Sequence, residues 1–157
     1  MSAVEIGALL KEKGLTLGVV ESATGGLISN LITNVPGSTN YYKGSIIAYS
    51  NEVKTGLVGV PASTLREYGA VSQQVAKEMA AGGRRVLKVD ICIADTGIAG
   101  PGGVTADKPM GLFYLGLADK EGAVSRRHLF KGNRRENKAE AAAAALAWLK
   151  EHLESFK

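Results

Sequence analysis

Hydrophobic residues along this chain alternate between two spacings. Ile6, Leu9 and Leu10 recur at helical intervals behind Ser2 and Glu5, a capping-box pair, and predict a helix over 2–13 that Gly14 stops. Leu15 to Val20 is short, apolar and β-branched, as a strand is. ESATGG follows, and then Leu27, Ile28, Leu31, Ile32 and Val35 return to helical spacing until Pro36-Gly37. Ser45 to Ser50 (SIIAYS) predicts a second strand, Asn51 to about Val58 a short helix, and 61–68 another that Gly69 closes. Ser72 caps a long amphipathic segment reaching Lys88, weakened in its middle by Gly82-Gly83. Asp90 to Thr96 (DICIADT) predicts a third strand that runs into GIAGPGG. Gly111 to Ala118 and Ala123 to Phe130 are two strands joined by the hairpin signal Asp119-Lys120-Glu121-Gly122. Asn133 with Glu136 caps a last helix whose buried face reads Ala142, Leu146, Leu149, Leu153 and Phe156.

Helices alternating with strands, plus one hairpin, imply an α/β protein: a three-layer α/β/α sandwich around a mixed, mostly parallel sheet. With 157 residues, 45% of them hydrophobic, the chain reads as one domain over 1–157 and not as a disordered polymer. Alanines 141–145 fit a helix lying close to a sheet. No apolar run approaches the roughly 20 residues of a membrane span, and MSAVEIGALLKEKG lacks the features of a signal peptide. A cytoplasmic protein without membrane contact is expected. The single cysteine, Cys92, excludes an internal disulfide framework and a multi-thiolate metal site. Net charge is +4, with arginine pairs scattered over three stretches and only 6% aromatic residues. That balance suits an anionic small molecule better than nucleic acid.

Several chemistries are excluded by their missing motifs. There is no GxxxxGK[ST], no GxGxxG after a strand, no HExxH, no GxSxG and no SxxK. His128 and His152 lie in a hairpin strand and near the end of the last helix, where surface positions are expected. Three polar-glycine clusters remain, all at strand ends: Glu21 to Gly26, Tyr49 to Lys54, and Asp95 to Gly103. In open α/β sheets the ligand crevice lies outside the carboxyl ends of the strands. Backbone N–H groups around Thr24, Gly25 and Gly26 would face whatever fills the first turn, a phosphate or a developing oxyanion. Without a usable histidine, a serine needs another base, and a desolvated lysine is one. Lys54, one helical turn past the second strand, is placed to reach back. These residues suggest a serine–lysine hydrolase or an anion-binding pocket, and both remain open at this point.

ESATGG, PGSTNYYKGSIIAYSNEVKTGLVGV, YGAVSQQVAKEMA, TGIAGPGG with KPMGLFYLGLA, and FKGNRRENK together resemble the CinA carboxy-terminal domain family, over about residues 5–150. The resemblance implies a stand-alone form of that module and a nicotinamide-nucleotide amidohydrolase. Such an enzyme converts nicotinamide mononucleotide to nicotinate mononucleotide and ammonia, as a homo-oligomer without metal or other cofactor. Carried over by motif, Ser22 is the nucleophile, and Tyr49 and Lys54 activate it. Thr24, Gly25, Gly26, Thr39, Thr96, Gly97 and Arg134 fall at substrate-binding positions. The family usually has cysteine where this chain has Ala23, which speaks against a thiol mechanism there. A second reading is a non-catalytic nucleotide-binding module associated with competence or the DNA-damage response.

Overall fold

The computed structural model describes residues 2–156. In chain order it contains α1 (Ser2–Lys13), β1 (Leu17–Glu21), α2 (Leu27–Thr33), a 3-10 turn (Ser38–Asn40), β2 (Tyr42–Ile47), α3 (Asn51–Val58) and α4 (Ala62–Tyr68). There follow α5 (Gln73–Leu87), β3 (Ile91–Gly97), β4 (Leu112–Asp119), β5 (Gly122–Leu129) and α6 (Arg134–Ser155). The strands form one sheet in the order β2-β1-β3-β4-β5. Pairing is parallel across β2, β1 and β3 and antiparallel across β3, β4 and β5, so β4 alone runs against the others.

Side-chain alternation sorts the two cores. Leu17 and Val19 of β1, Ile91 and Ile93 of β3, and Leu115 and Leu117 of β4 project to one face, against Ile6 and Leu10 of α1, Ile28 and Ile32 of α2, and the α6 residues Ala142, Ala145, Leu146 and Leu149. Val20, Cys92, Ala94 and Ala118 project to the other, against Val58, Val75, Met79 and Ala80 from α3 and α5. This is the three-layer sandwich. Gly82 and Gly83 do not break α5; they let it lie against its neighbours. A Cβ at Gly82 would stand 2.0 Å from the Val58 carbonyl oxygen, and one at Gly83 2.3 Å from Val20 Cγ2.

Several boundaries move. Ser2 is already helical and so does not cap α1. β2 starts three residues before the expected Ser45 and ends at Ile47, because register with β1 pairs Leu17 with Tyr42 and Glu21 with Ile47. The expected strand residues Ala48, Tyr49 and Ser50 become the turn into α3, where Ser50 Oγ accepts the Val53 N–H at 3.2 Å. α2 ends at Thr33, short of Val35. The hairpin closes as expected, Asp119 pairing with Gly122, and Asn133 and Glu136 form the capping box of α6. His128 and His152 are half-buried rather than fully exposed: one stacks on Phe130, the other bonds Asp119 at 2.8 Å.

Candidate active site

Because β1, β2 and β3 are parallel, the residues that follow them meet at one edge of the sheet. A cavity of about 320 Å³ opens there, and its walls include Ser22, Ala23, Tyr49, Lys54, Thr96 and Arg134. All three polar-glycine clusters contribute to it.

The centre is a contact between Lys54 Nζ and Ser22 Oγ at 3.0 Å. Lys54 is 1% exposed and Ser22 7%. The ammonium position is fixed by two further acceptors, the carbonyl oxygens of Ala48 at 2.9 Å and Tyr49 at 2.8 Å. Carbonyl oxygens only accept, so a neutral amine there spends its two N–H groups on them. Its lone pair then faces the one neighbour able to donate, the Ser22 hydroxyl. Burial lowers the Lys54 pKa from 10.5 to about 8, against the opposing charge of Asp95.

Behind the serine stands a carboxylate scaffold. Asp95, on β3 and fully buried, accepts the Ser22 N–H through Oδ2 at 3.1 Å and the Thr24 N–H through Oδ1 at 3.2 Å. Burial raises its pKa to about 6, opposed by the hydrogen bonds from Thr24 and Ser22 and helped by the charge of Glu21. Glu21 accepts from the N–H groups of Gly26, Ile28 and Ser29 at 3.1, 2.9 and 2.9 Å, and so caps α2. The sequence pointed to this segment as a glycine turn; nothing in its pattern gave Glu21 and Asp95 their roles as internal acceptors.

That scaffold changes the expectation for the first turn. The N–H groups of Thr24 and Gly26 donate to Asp95 and Glu21, and that of Gly25 donates to the Ser22 carbonyl at 3.1 Å. None of the three points into the cavity, and Thr24, Gly25 and Gly26 instead line a separate groove with Arg135 and Lys138. The Ala23 N–H, in the cavity wall, has no acceptor among the described residues.

The remaining positions divide. Thr96 is 1% exposed, lines the cavity with Gly97 and donates its hydroxyl to the Ala70 carbonyl at 2.7 Å. Arg134 lines the cavity too, donating from Nη1 to the Gly100 carbonyl at 2.7 Å and from Nη2 to the Tyr49 hydroxyl at 3.4 Å. The Tyr49 side chain is 62% exposed at the rim, and its hydroxyl meets Arg134, not Ser22. It is the backbone carbonyl of Tyr49 that touches Lys54. Thr39 lies outside the cavity: the 3-10 turn precedes β2 and so sits at the amino edge of the sheet, opposite Ser22. Asn137, unforeseen in the sequence, is fully buried and joins two loops, donating to the Ala99 carbonyl at 3.0 Å and accepting the Gly132 N–H at 2.9 Å. Among the described residues no three His, Cys, Asp or Glu side chains cluster as metal ligands, and no helix is long and apolar enough to cross a membrane.

Fold and site together define an α/β protein with a buried serine–lysine pair in a cavity at the carboxyl edge of its parallel strands. The model of the CinA C-terminal domain matches residues 1–153, and this chain belongs to that family. A relative from Halothermothrix orenii, named for competence and damage induction, is 49% identical over 155 residues, 98% of this chain and 38% of its own length. A CinA-like protein of Geobacter sulfurreducens is 47% identical over 148 residues, 94% of this chain and 36% of its own. The chain thus spans little more than a third of these curated relatives. Among solved structures, competence damage-inducible protein A of Klebsiella pneumoniae superposes with a TM-score of 0.96 at 29% identity, covering 99% of this chain and 97% of that one. The competence/damage inducible protein CihA of Agrobacterium tumefaciens gives 0.94 at 33%, covering 98% and 94%.

Proposed function

We propose that this chain is a serine–lysine amidohydrolase that cleaves the carboxamide of nicotinamide mononucleotide, yielding nicotinate mononucleotide and ammonia. The observation that carries the reading is the 3.0 Å contact between Ser22 Oγ and the buried amine of Lys54, whose other two partners are the carbonyl oxygens of Ala48 and Tyr49. Membership of a family that includes amidohydrolases supports it.

Lys54 takes the Ser22 proton as Oγ attacks the carboxamide carbon. The tetrahedral oxyanion lies against the Ala23 N–H, the donor of the turn that no protein acceptor engages. Collapse breaks the C–N bond, and Lys54 returns the proton to the departing ammonia. Water, deprotonated by the same amine, then hydrolyses the acyl-enzyme and frees the carboxylate. Arg134, braced by Gly100 and the Tyr49 hydroxyl, meets the nucleotide phosphate at the rim. Tyr49 therefore serves through its carbonyl, which fixes Lys54, and its hydroxyl, which supports Arg134. The same reading makes the protein a cytoplasmic homo-oligomer in pyridine-nucleotide recycling.

Ammonia release from nicotinamide mononucleotide by the purified chain tests the proposal, with glutamine and asparagine as control amides. Release confined to the nucleotide and abolished in Ser22→Ala is expected. No release between pH 7 and 9, or undiminished release in the variant, would sink it.

A further inference from the structure

The connection between β3 and β4 stands at the cavity on a single tether. Its base is closed: the Gly111 N–H donates to the Ile98 carbonyl at 2.7 Å, and the Ala99 and Gly100 carbonyls accept from Asn137 and Arg134. Beyond that base, Gly102 and Gly103 form part of the cavity wall. Among the described residues, one hydrogen bond joins residues 101–108 to any other part of the chain, from Lys108 Nζ to the Tyr68 carbonyl at 2.6 Å. A tight turn makes Lys108 move with its segment. The Thr105 N–H donates to the Lys108 carbonyl at 3.0 Å, and the Lys108 N–H donates to Thr105 Oγ1 at 3.1 Å.

The anchor is itself fixed. Tyr68 ends α4, where the last carbonyls lack helical partners and favour a cation. Three successive carbonyls accept side-chain donors from three places: Tyr68 from Lys108, Gly69 from Ser72 Oγ at 2.9 Å, and Ala70 from Thr96 Oγ1 at 2.7 Å. Thr96 and Lys108 therefore tie the α4–α5 turn to both ends of the β3–β4 connection. Ala70 and Val71 of that turn line the same cavity. Gly69 leaves the ammonium its place, since a Cβ there would stand 2.8 Å from Lys108 Nζ.

We propose that Lys108 is a positioning residue for ligand binding: its ammonium pins residues 101–107 to the end of α4 and so holds the Gly102–Gly103 wall in place. Its effect on turnover rests on the amidohydrolase reading. Lys108 is not among the residues that line the cavity and touches no reacting atom, so it acts on affinity and not on the chemical step. A tethered wall is already ordered when the nucleotide arrives, whereas a free one must be ordered at each binding event, which weakens affinity.

Lys108→Met keeps the bulk of the stem and removes the charged donor. Nitrogen-15 relaxation in the full chain reads the backbone order parameters of Gly102 and Gly103, expected at about 0.85 in wild type and below about 0.6 in the variant. Ammonia release reads the second effect. KM for nicotinamide mononucleotide is expected to rise at least ~5-fold, with kcat within about twofold of wild type. A residue that served stability alone would lower the active fraction, and with it kcat, while leaving KM where it was. Order parameters equal in the two proteins, a KM within about twofold of wild type, or a loss carried by kcat overturns the proposal. A chain that hydrolyses nothing refutes the enzymatic reading alone, because the order parameters still decide whether Lys108 holds the segment.

Discussion

Two glycine-rich turns leave the same edge of the sheet, one after β1 and one after β3. In ESATGG the N–H groups of Ser22, Thr24, Gly25 and Gly26 all donate to acceptors inside the protein, and residues 21–24 are buried. In the segment between β3 and β4 the base is closed, with the Ile98 N–H donating to the Leu112 carbonyl at 2.9 Å and Gly111 to Ile98 at 2.7 Å. Beyond that base, residues 101–107 are exposed, and the amides of Gly100, Gly102 and Gly103 find no acceptor among the described residues. Similar composition thus serves opposite ends. The first turn is a mount for one side chain, while the second leaves its donors unpaired beside the cavity. Glycine content alone does not distinguish them; the distinction lies in whether buried carboxylates stand behind the turn.

The contrast breaks most sharply at the mounted residue. Ser22→Ala is expected to lower turnover by at least ~10³-fold while leaving the melting temperature within about 2 °C, because the mount does not depend on the hydroxyl. Ammonia release and thermal melts measure both. A smaller effect comes from pH. The Lys54 amine accepts a proton only when neutral, so kcat/KM should fall about tenfold per unit below a midpoint near 8 and level off above it. A flat profile from pH 6 to 9 would remove Lys54 as the base. Next is the mount itself: Thr24→Val deletes the hydroxyl between Glu21 and Asp95 and should cost roughly 1–3 kcal/mol in urea unfolding. The smallest effect compares two glycines. Gly25 has φ +60°, so Gly25→Ala should cost about 1 kcal/mol. Gly102→Ala enters open space and should change stability by less than about 0.5 kcal/mol, with any effect appearing in KM. Equal destabilisation by the two would erase the distinction between mount and open loop.

The layers were legible because alternation is strict where burial is two-sided: ICIAD sends Ile91 and Ile93 to one core and Cys92 and Ala94 to the other. A serine–lysine chemistry with Lys54 was legible because so few alternatives survived, Ser22 was singled out by the family resemblance, and the structure brings the two together. The end of β2 was not. SIIAYS has strand composition throughout, yet the carbonyls of Ala48 and Tyr49 turn toward Lys54, a demand set by a side chain farther along the chain. The donors of Thr24, Gly25 and Gly26 were misread for a related reason. A turn's amides look available until the acids that take them are placed, and Asp95 is 71 residues from Thr24. Thr39 shows the limit of motif transfer, since its motif is present while the turn carrying it lies at the other edge of the sheet.

Asn137 ties the loop after β3 to the segment before α6, and Arg134 grips the same loop one residue further on. Buried and doubly bonded, the asparagine makes those stretches one cooperative unit. Any local opening that frees the Ala99–Gly100 backbone must also release the first turn of α6 and the arginine on it. The wall that supplies free amides and the wall that supplies the guanidinium therefore loosen or tighten in a single event, and whatever stabilises one rigidifies both.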